Sequence, residues 1–197
     1  MGWRRLWTQG GDVATQDEAL SQFDNDSDSG IGDNGDPNKK SNLAFKKRVG
    51  KNAEVLSRLD PELKEDQTVI NIFEKSSFEE NTIKWFSHGN TGVIGGGMTA
   101  IQFSEFLKKN STLFRTAIEN DIPITLKLFA CLTGQYGGLA EQLSLLHPHI
   151  KIMAPNNKII FSNINKPYIA DGKGLPPLGN FYIYQNGIII DTVNFKQ

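Results

Sequence analysis

Two residues of this chain have the type and the setting for nucleophilic catalysis. Cys131, the only cysteine among 197 residues, closes the apolar run Ile124-Thr125-Leu126-Lys127-Leu128-Phe129-Ala130. His88 closes a second run, Thr82-Ile83-Lys84-Trp85-Phe86-Ser87, and is followed by Gly89. Both runs read as β-strands. A thiol and an imidazole at the C-terminal ends of two strands meet at one edge of an α/β sheet, the edge where such folds carry their chemistry. There the imidazole keeps the thiol reactive and hands a proton to a leaving group. Taken singly, a cysteine on an apolar strand is a small core residue, and a histidine beside a glycine is a turn residue. The pairing at equivalent strand ends sets these two apart.

The elements that must position the pair are read from periodicity and punctuation. Asn42 to Leu63 reads as one or two short helices, with Leu43, Val49, Val55, Leu56 and Leu59 as the apolar set. Lys39, Lys40, Lys46, Lys47, Arg48 and Lys51 then form a basic cluster, read first as a solvated helix face and alternatively as an acid–base contact between the acidic tail and the domain. Thr68 to Phe73 reads as a buried strand. After His88-Gly89 comes a loop with glycines at Gly92, Gly95, Gly96 and Gly97. It lacks the Lys-Ser/Thr pair of a phosphate loop and the spacing of a dinucleotide fingerprint. The reading is a flexible gate beside the histidine.

Thr99 and Gln102 form a capping box opening a helix that carries Ile101, Phe103, Phe106 and Leu107. A second helix spans Ser111 to Glu119, a third Leu139 to Leu146, and Ile150 to Met153 is a short strand. Phe181 to Asp191, with Asn186-Gly187 at its centre, is a hairpin that should pack on the main sheet. The alternation predicts an α/β fold, a mostly parallel sheet flanked by helices, with a C-terminal β-hairpin.

Composition bounds the rest. A net charge of −1 gives no ground for expecting nucleic acid as a partner, and no apolar run reaches the length of a membrane span. A lone cysteine excludes an internal disulfide framework. Met1-Gly2-Trp3-Arg4-Arg5 has no apolar stretch behind it and is no secretory signal; the compartment is left open. Residues 1–40 read as a disordered acidic leader or linker, and residues 41–197 as the folded domain. Asp24, Asp26, Asp28, Asp33 and Asp36 have the look of a calcium repeat. Their glycine is out of register and Gly35 stands where an EF-hand needs its last ligand. Acidic linker is therefore the first reading and calcium at the leader the alternative; no other cofactor is expected. His147 and His149 flank Pro148 but lack further ligands for zinc.

The two strand ends and the Cys131-Leu132-Thr133-Gly134 continuation resemble clan CD, the caspase-like cysteine peptidases. Closest in look are the self-cleaving protease domains of large bacterial toxins. The order, histidine before cysteine, and the helix-forming sequence between them are similar to that family over residues 68 to 155. The resemblance implies a caspase-like fold in which Cys131 attacks a peptide carbonyl and His88 protonates the leaving amine. Backbone N–H groups of Gly89 and Cys131 would hold the oxyanion. It further implies a toxin, effector or toxin-processing setting. The partner is then a protein substrate, either the parent toxin or a target-cell protein, met after synthesis in a bacterial cytoplasm and delivery outside or into a target cell. This sequence departs from the family in one respect. Glu74 to Asn81 is too short for a helical crossover between the first two strands read above, so these form a hairpin or residues 42–63 supply the missing helix. The same dyad would also serve a deamidase or acyltransferase, and an inert Cys131 would leave a protein-binding module. Limited proteolysis is expected to trim residues 1–40 first and leave a resistant fragment beginning near residue 40; protection of the leader without added ligand would contradict that division.

Overall fold

The computed structural model describes residues 42–161, 167–169 and 179–194. The expectations for the leader, including Asp24, Asp26, Asp28, Asp33 and Asp36, lie outside them. The described residues form an α/β fold with one seven-stranded mixed sheet and four helices. The chain enters through an antiparallel pair, β1 (Ala44–Gly50) and β2 (Ala53–Leu59), then forms helix α1 (Lys64–Lys75) and strand β3 (Thr82–Ser87). Helices α2 (Ala100–Asn110) and α3 (Thr112–Glu119) lead to β4 (Thr125–Phe129), and α4 (Leu139–Leu146) leads to β5 (Lys151–Pro155). A two-stranded ribbon, β6 (Ile159–Phe161) and β7 (Pro167–Ile169), stands apart from the main sheet. Strands β8 (Phe181–Gln185) and β9 (Ile188–Val193) complete the main sheet in the order β1-β2-β3-β4-β5-β8-β9. β2 to β5 are parallel; β1, β8 and β9 run antiparallel to their neighbours.

Two readings of the N-terminal part are corrected. Residues 42–63 form strands rather than helices. Ala53 to Leu59 is buried on both faces, so its apolar residues carry no strand alternation and mimic a helical spacing. Lys46, Lys47, Arg48 and Lys51 are accordingly on a strand and its turn rather than on a solvated helix face, and Lys39 and Lys40 lie outside the described residues. On β1, Lys47 pairs with buried Glu54 at 3.0 Å, and the Arg48 guanidinium donates to the carbonyls of Phe73 and Ser76. Thr68 to Phe73, read as a strand, lies in helix α1. Its β-branched run looks strand-like, but burial falls on Asp66, Ile70, Ile72 and Phe73, of which Asp66, Ile70 and Phe73 form the i, i+4, i+7 stripe of a helix. Neither a hairpin of residues 68–73 with β3 nor a helix in residues 42–63 forms; the section before His88 is strand β2, helix α1 and the parallel strand β3. β8 and β9 pair around Asn186-Gly187, whose φ values of 51° and 74° suit the tight turn; β8 joins this hairpin to β5.

The sheet separates two cores. Trp85, Leu126 and Leu128 pack under α2, α3 and α4 with Phe103, Phe114 and Leu143. Val55, Phe86, Phe129 and Met153 pack on the other face with Ile70 and Phe73 of α1. The strands advance in one direction from β2 to β5, yet α1 crosses on one face and α2, α3 and α4 on the other. The β2–α1–β3 connection therefore has the opposite hand to the two that follow. Such connections are right-handed in about 98% of cases, so one of the two kinds departs from the rule. On the face of α2, α3 and α4, the buried carboxylate of Glu54 accepts from the N–H groups of Thr112 and Leu113 and so caps α3 from strand β2.

His147 ends α4 in the first core. Its Nε2 lies 2.7 Å from the hydroxyl of Ser104 on α2, and its ring meets Phe114 edge-on. Burial pushes its pKa down to about 4, with Lys108 and His149 adding to the effect and Glu105 opposing it. The unfolded imidazole takes its proton near pH 6.5 and the folded one near pH 4. Between those values the unfolded chain binds more proton, so His147 contributes stability that is full above pH 6.5 and lost on the way down to pH 4. The loss amounts to up to about 3 kcal/mol at 1.36 kcal/mol per pH unit. Urea unfolding at pH 7 and pH 4.5 should show a larger drop in wild type than in His147→Gln.

Candidate active site

The parallel register of β3 and β4 brings the two sequence-identified residues together. Phe86 pairs with Phe129, and their rings stack at 4.6 Å. His88 and Cys131 each follow two residues beyond that last pair, so both leave the sheet at the same edge, on the face of Phe86 and Phe129. Gly89 marks how closely the two ends approach. A Cβ there would sit 3.0 Å from both the Ala130 Cβ and the Thr133 Cγ2, so any side chain at 89 pushes the strand ends apart. Among the described residues, neither the Gly89 nor the Cys131 N–H donates to a backbone carbonyl outside the ladders. Both remain available as donors.

The turn after β4 is held residue by residue. Leu132 has φ of 62°, a left-handed conformation that costs a non-glycine residue about 1–2 kcal/mol. Its N–H donates to the Asn157 carbonyl at 3.1 Å. The buried Thr133 hydroxyl donates to the Ala130 carbonyl at 2.9 Å, closing the turn over Cys131. At Gly134 a Cβ would come within 2.3 Å of the Ala154 carbonyl oxygen, so the position admits glycine alone. Cys131 itself is partly buried against the core on the α1 face, with Sγ 3.8 Å from the Ile159 carbonyl oxygen of β6.

His88 has a partner that sequence reasoning missed. Its Nε2 lies 2.7 Å from Oδ1 of Asp66 in the first turn of α1. Asp66 is 0% exposed, whereas the His88 side chain is 61% exposed. The second Asp66 oxygen accepts from the Asp60 N–H at 2.8 Å, so both oxygens are engaged. A carboxylate on Nε2 makes that nitrogen the proton carrier in the neutral ring and leaves Nδ1 as the free base. Once residues 64–75 are a helix, Asp66 stands out as the acid in its buried stripe, 22 residues before the histidine.

The loop Asn90 to Met98 is folded in on itself. Ile94 is buried and exchanges backbone bonds with Met98; Gly95 donates to the His88 carbonyl, and the Asn90 side chain accepts from Gly92 and Val93. Gly96 and Gly97 are exposed at its tip. The Thr91 hydroxyl reaches Gln135 on the Cys131 loop, and the Thr91 carbonyl accepts from Leu139. A gate formed here would have to break these bonds to swing. Among the described residues no group of three or more His, Cys, Asp or Glu side chains is placed to hold a metal, and no helix is long and apolar enough to cross a membrane. Comparison with family models, with curated proteins and with solved structures found no match.

Asp66 should fix both the tautomer of His88 and the start of α1. Imidazole ¹⁵N shifts are expected to report the Nε2–H form in wild type and a mixture in Asp66→Ala. That variant should also lose about 1–3 kcal/mol, because the Asp60 N–H loses its acceptor.

Proposed function

We propose that this chain is a cysteine peptidase of caspase-like kind, with Cys131 as nucleophile, His88 as acid–base and Asp66 orienting His88. The observation that carries the reading is the Asp66–His88 hydrogen bond at the strand edge that also bears Cys131. In this reading His88 Nδ1 takes the thiol proton, and the thiolate sulfur bonds to the carbonyl carbon of the scissile peptide. The oxyanion so formed is met by the N–H groups of Gly89 and Cys131. Collapse breaks the C–N bond as the imidazolium gives its proton to the departing amine. Water, deprotonated by the same imidazole, then releases the acyl group and restores the thiol.

Asp66 carries no proton in this sequence; its buried negative charge stabilises the imidazolium and holds the ring in place. A bacterial toxin or effector setting, with the parent toxin or a target-cell protein as substrate, belongs to the same proposal. Deamidation and acyl transfer use the same first step and differ in the group that leaves or accepts.

The inert-cysteine reading draws on the packing of Cys131 against the α1-face core. Thiol reactivity separates the two. Iodoacetamide should label Cys131 rapidly at neutral pH in the folded wild type and at least ~10²-fold more slowly in His88→Ala, the lower bound for a positioned acid–base group. Cys131→Ala and His88→Ala should each abolish cleavage of a peptide library while circular dichroism remains that of wild type. Comparable cleavage by wild type and Cys131→Ala removes the proposal.

A further inference from the structure

A second feature of the α1 face lies outside this chemistry. Lys84 and Lys127 are register partners on β3 and β4, so two ammonium stems rise side by side from neighbouring strands on an inward-facing surface. Like charges directly opposite each other destabilise a sheet. Glu79 relieves the repulsion by giving one carboxylate oxygen to each lysine, at 2.6 Å for Lys84. Burial pushes the Glu79 carboxyl up, but hydrogen bonds from Lys127 and Lys84 outweigh it and hold the group below its ordinary range. Glu79 therefore stays ionised, and the trio keeps one net positive charge.

These three side chains line a cleft of about 430 Å³, within the range of small-ligand sites. Its depth is apolar, formed by Ile72, Phe86, Phe129 and Met153, all buried. Its mouth is polar and adds a further cation, Lys75. The end of α1 also opens here, at Ser76 and Ser77. Its partial negative charge, which would repel an anion, is answered by Arg48 on the carbonyls of Phe73 and Ser76. Each ammonium has three N–H donors. Lys84 spends two, on Ser77 and Glu79, and Lys127 spends one on Glu79. One donor on Lys84 and two on Lys127 remain.

The geometry points to a binding site for a small amphipathic carboxylate, its apolar body in the cleft against Phe86, Phe129 and Met153 and its carboxylate on the unspent donors of Lys84 and Lys127. A carboxylate fits better than a larger polyanion. The lysine pair already presents the spacing that the two oxygens of Glu79 span, and the net charge to be met at that pair is single. The apolar depth supplies the remaining affinity by removing hydrocarbon from water. The site is independent of the peptidase reading and is tested by binding alone.

Isothermal titration of the full chain with octanoate, octan-1-ol and inorganic phosphate tests it. Octanoate should bind saturably with one site per chain, and octan-1-ol and phosphate at least tenfold more weakly. Lys127→Met should weaken octanoate at least tenfold by removing two donors. Met153→Trp leaves both lysines in place but fills the depth, and should abolish binding. Circular dichroism establishes which variants are folded. No saturable octanoate binding by wild type overturns the inference. So does unchanged octanoate affinity in either folded variant, or phosphate binding as tightly as octanoate.

Discussion

The parallel pairing of β3 with β4 is the constraint on which the rest of the site depends. It is a ladder of five residue pairs ending at Phe86 and Phe129, and it carries His88 and Cys131, each two residues further on, to the same edge of the sheet. A slip of one residue would turn one of them to the opposite face. The stacked rings of Phe86 and Phe129 guard against that slip, because they match only in this register. The third residue, Asp66, depends on a different choice, the face on which α1 crosses. A helix that follows β2 begins at the same edge as His88 whichever face it takes. Only crossing on the face toward which His88 turns puts the first-turn carboxylate within reach of the imidazole. The face of that crossing and the Asp66–His88 contact are thus one feature of the fold.

The edge is stiff, and its stiffness has a cost. Leu132 occupies a left-handed conformation immediately after the thiol, and such residues persist where surrounding bonds over-determine them. Here those bonds are the Leu132 N–H on Asn157, the Thr133 hydroxyl on Ala130 and the Gly134 N–H on Pro155. On the histidine side, the Ser87 hydroxyl and the Gly95 N–H both donate to the His88 carbonyl, and the Trp85 indole donates to Ser87. Backbone and side chain of the two strand ends are therefore fixed by neighbours on three elements, which is how a site holds its geometry without a bound ligand.

Much of this was legible in the sequence, and the failures have physical reasons. The strands ending in His88 and Cys131 stood out because both are short apolar runs cut by a small or polar residue. Helix α2 was legible from Thr99 and Gln102, and the capping box is present. Helix α4 spans Leu139–Leu146, the residues read as helical. The N-terminal third misled because burial on both faces erases the alternation by which a strand is recognised; Ala53–Leu59 is such a strand. Residues 68–73 misled in the opposite sense. Val69, Ile70 and Ile72 favour strands in isolation, but packing of the Asp66, Ile70 and Phe73 stripe onto the sheet overrides that preference. The role of Asp66 was hidden with the helix, since a carboxylate acquires a partner only once its element has a direction. The lysine pair was invisible for a related reason: Lys84 and Lys127 become neighbours through register, which no local pattern encodes.

Tyr184 of β8 carries a consequence for how the chain is made. Its buried hydroxyl donates to the carbonyl of Gly134 at 3.0 Å. Burial, with the charge of Glu141 added, pushes the phenol up to about 12, so it remains a donor. The loop that shapes Cys131 is therefore braced by a residue made 53 positions later. At ~5–20 residues per second of synthesis, about 3–10 s pass between the addition of Cys131 and that of Tyr184. During that interval the nascent chain holds its thiol and imidazole without the brace that sets their loop. The bracing of that loop is thereby timed by the order in which the ribosome delivers the strands, β8 following β4.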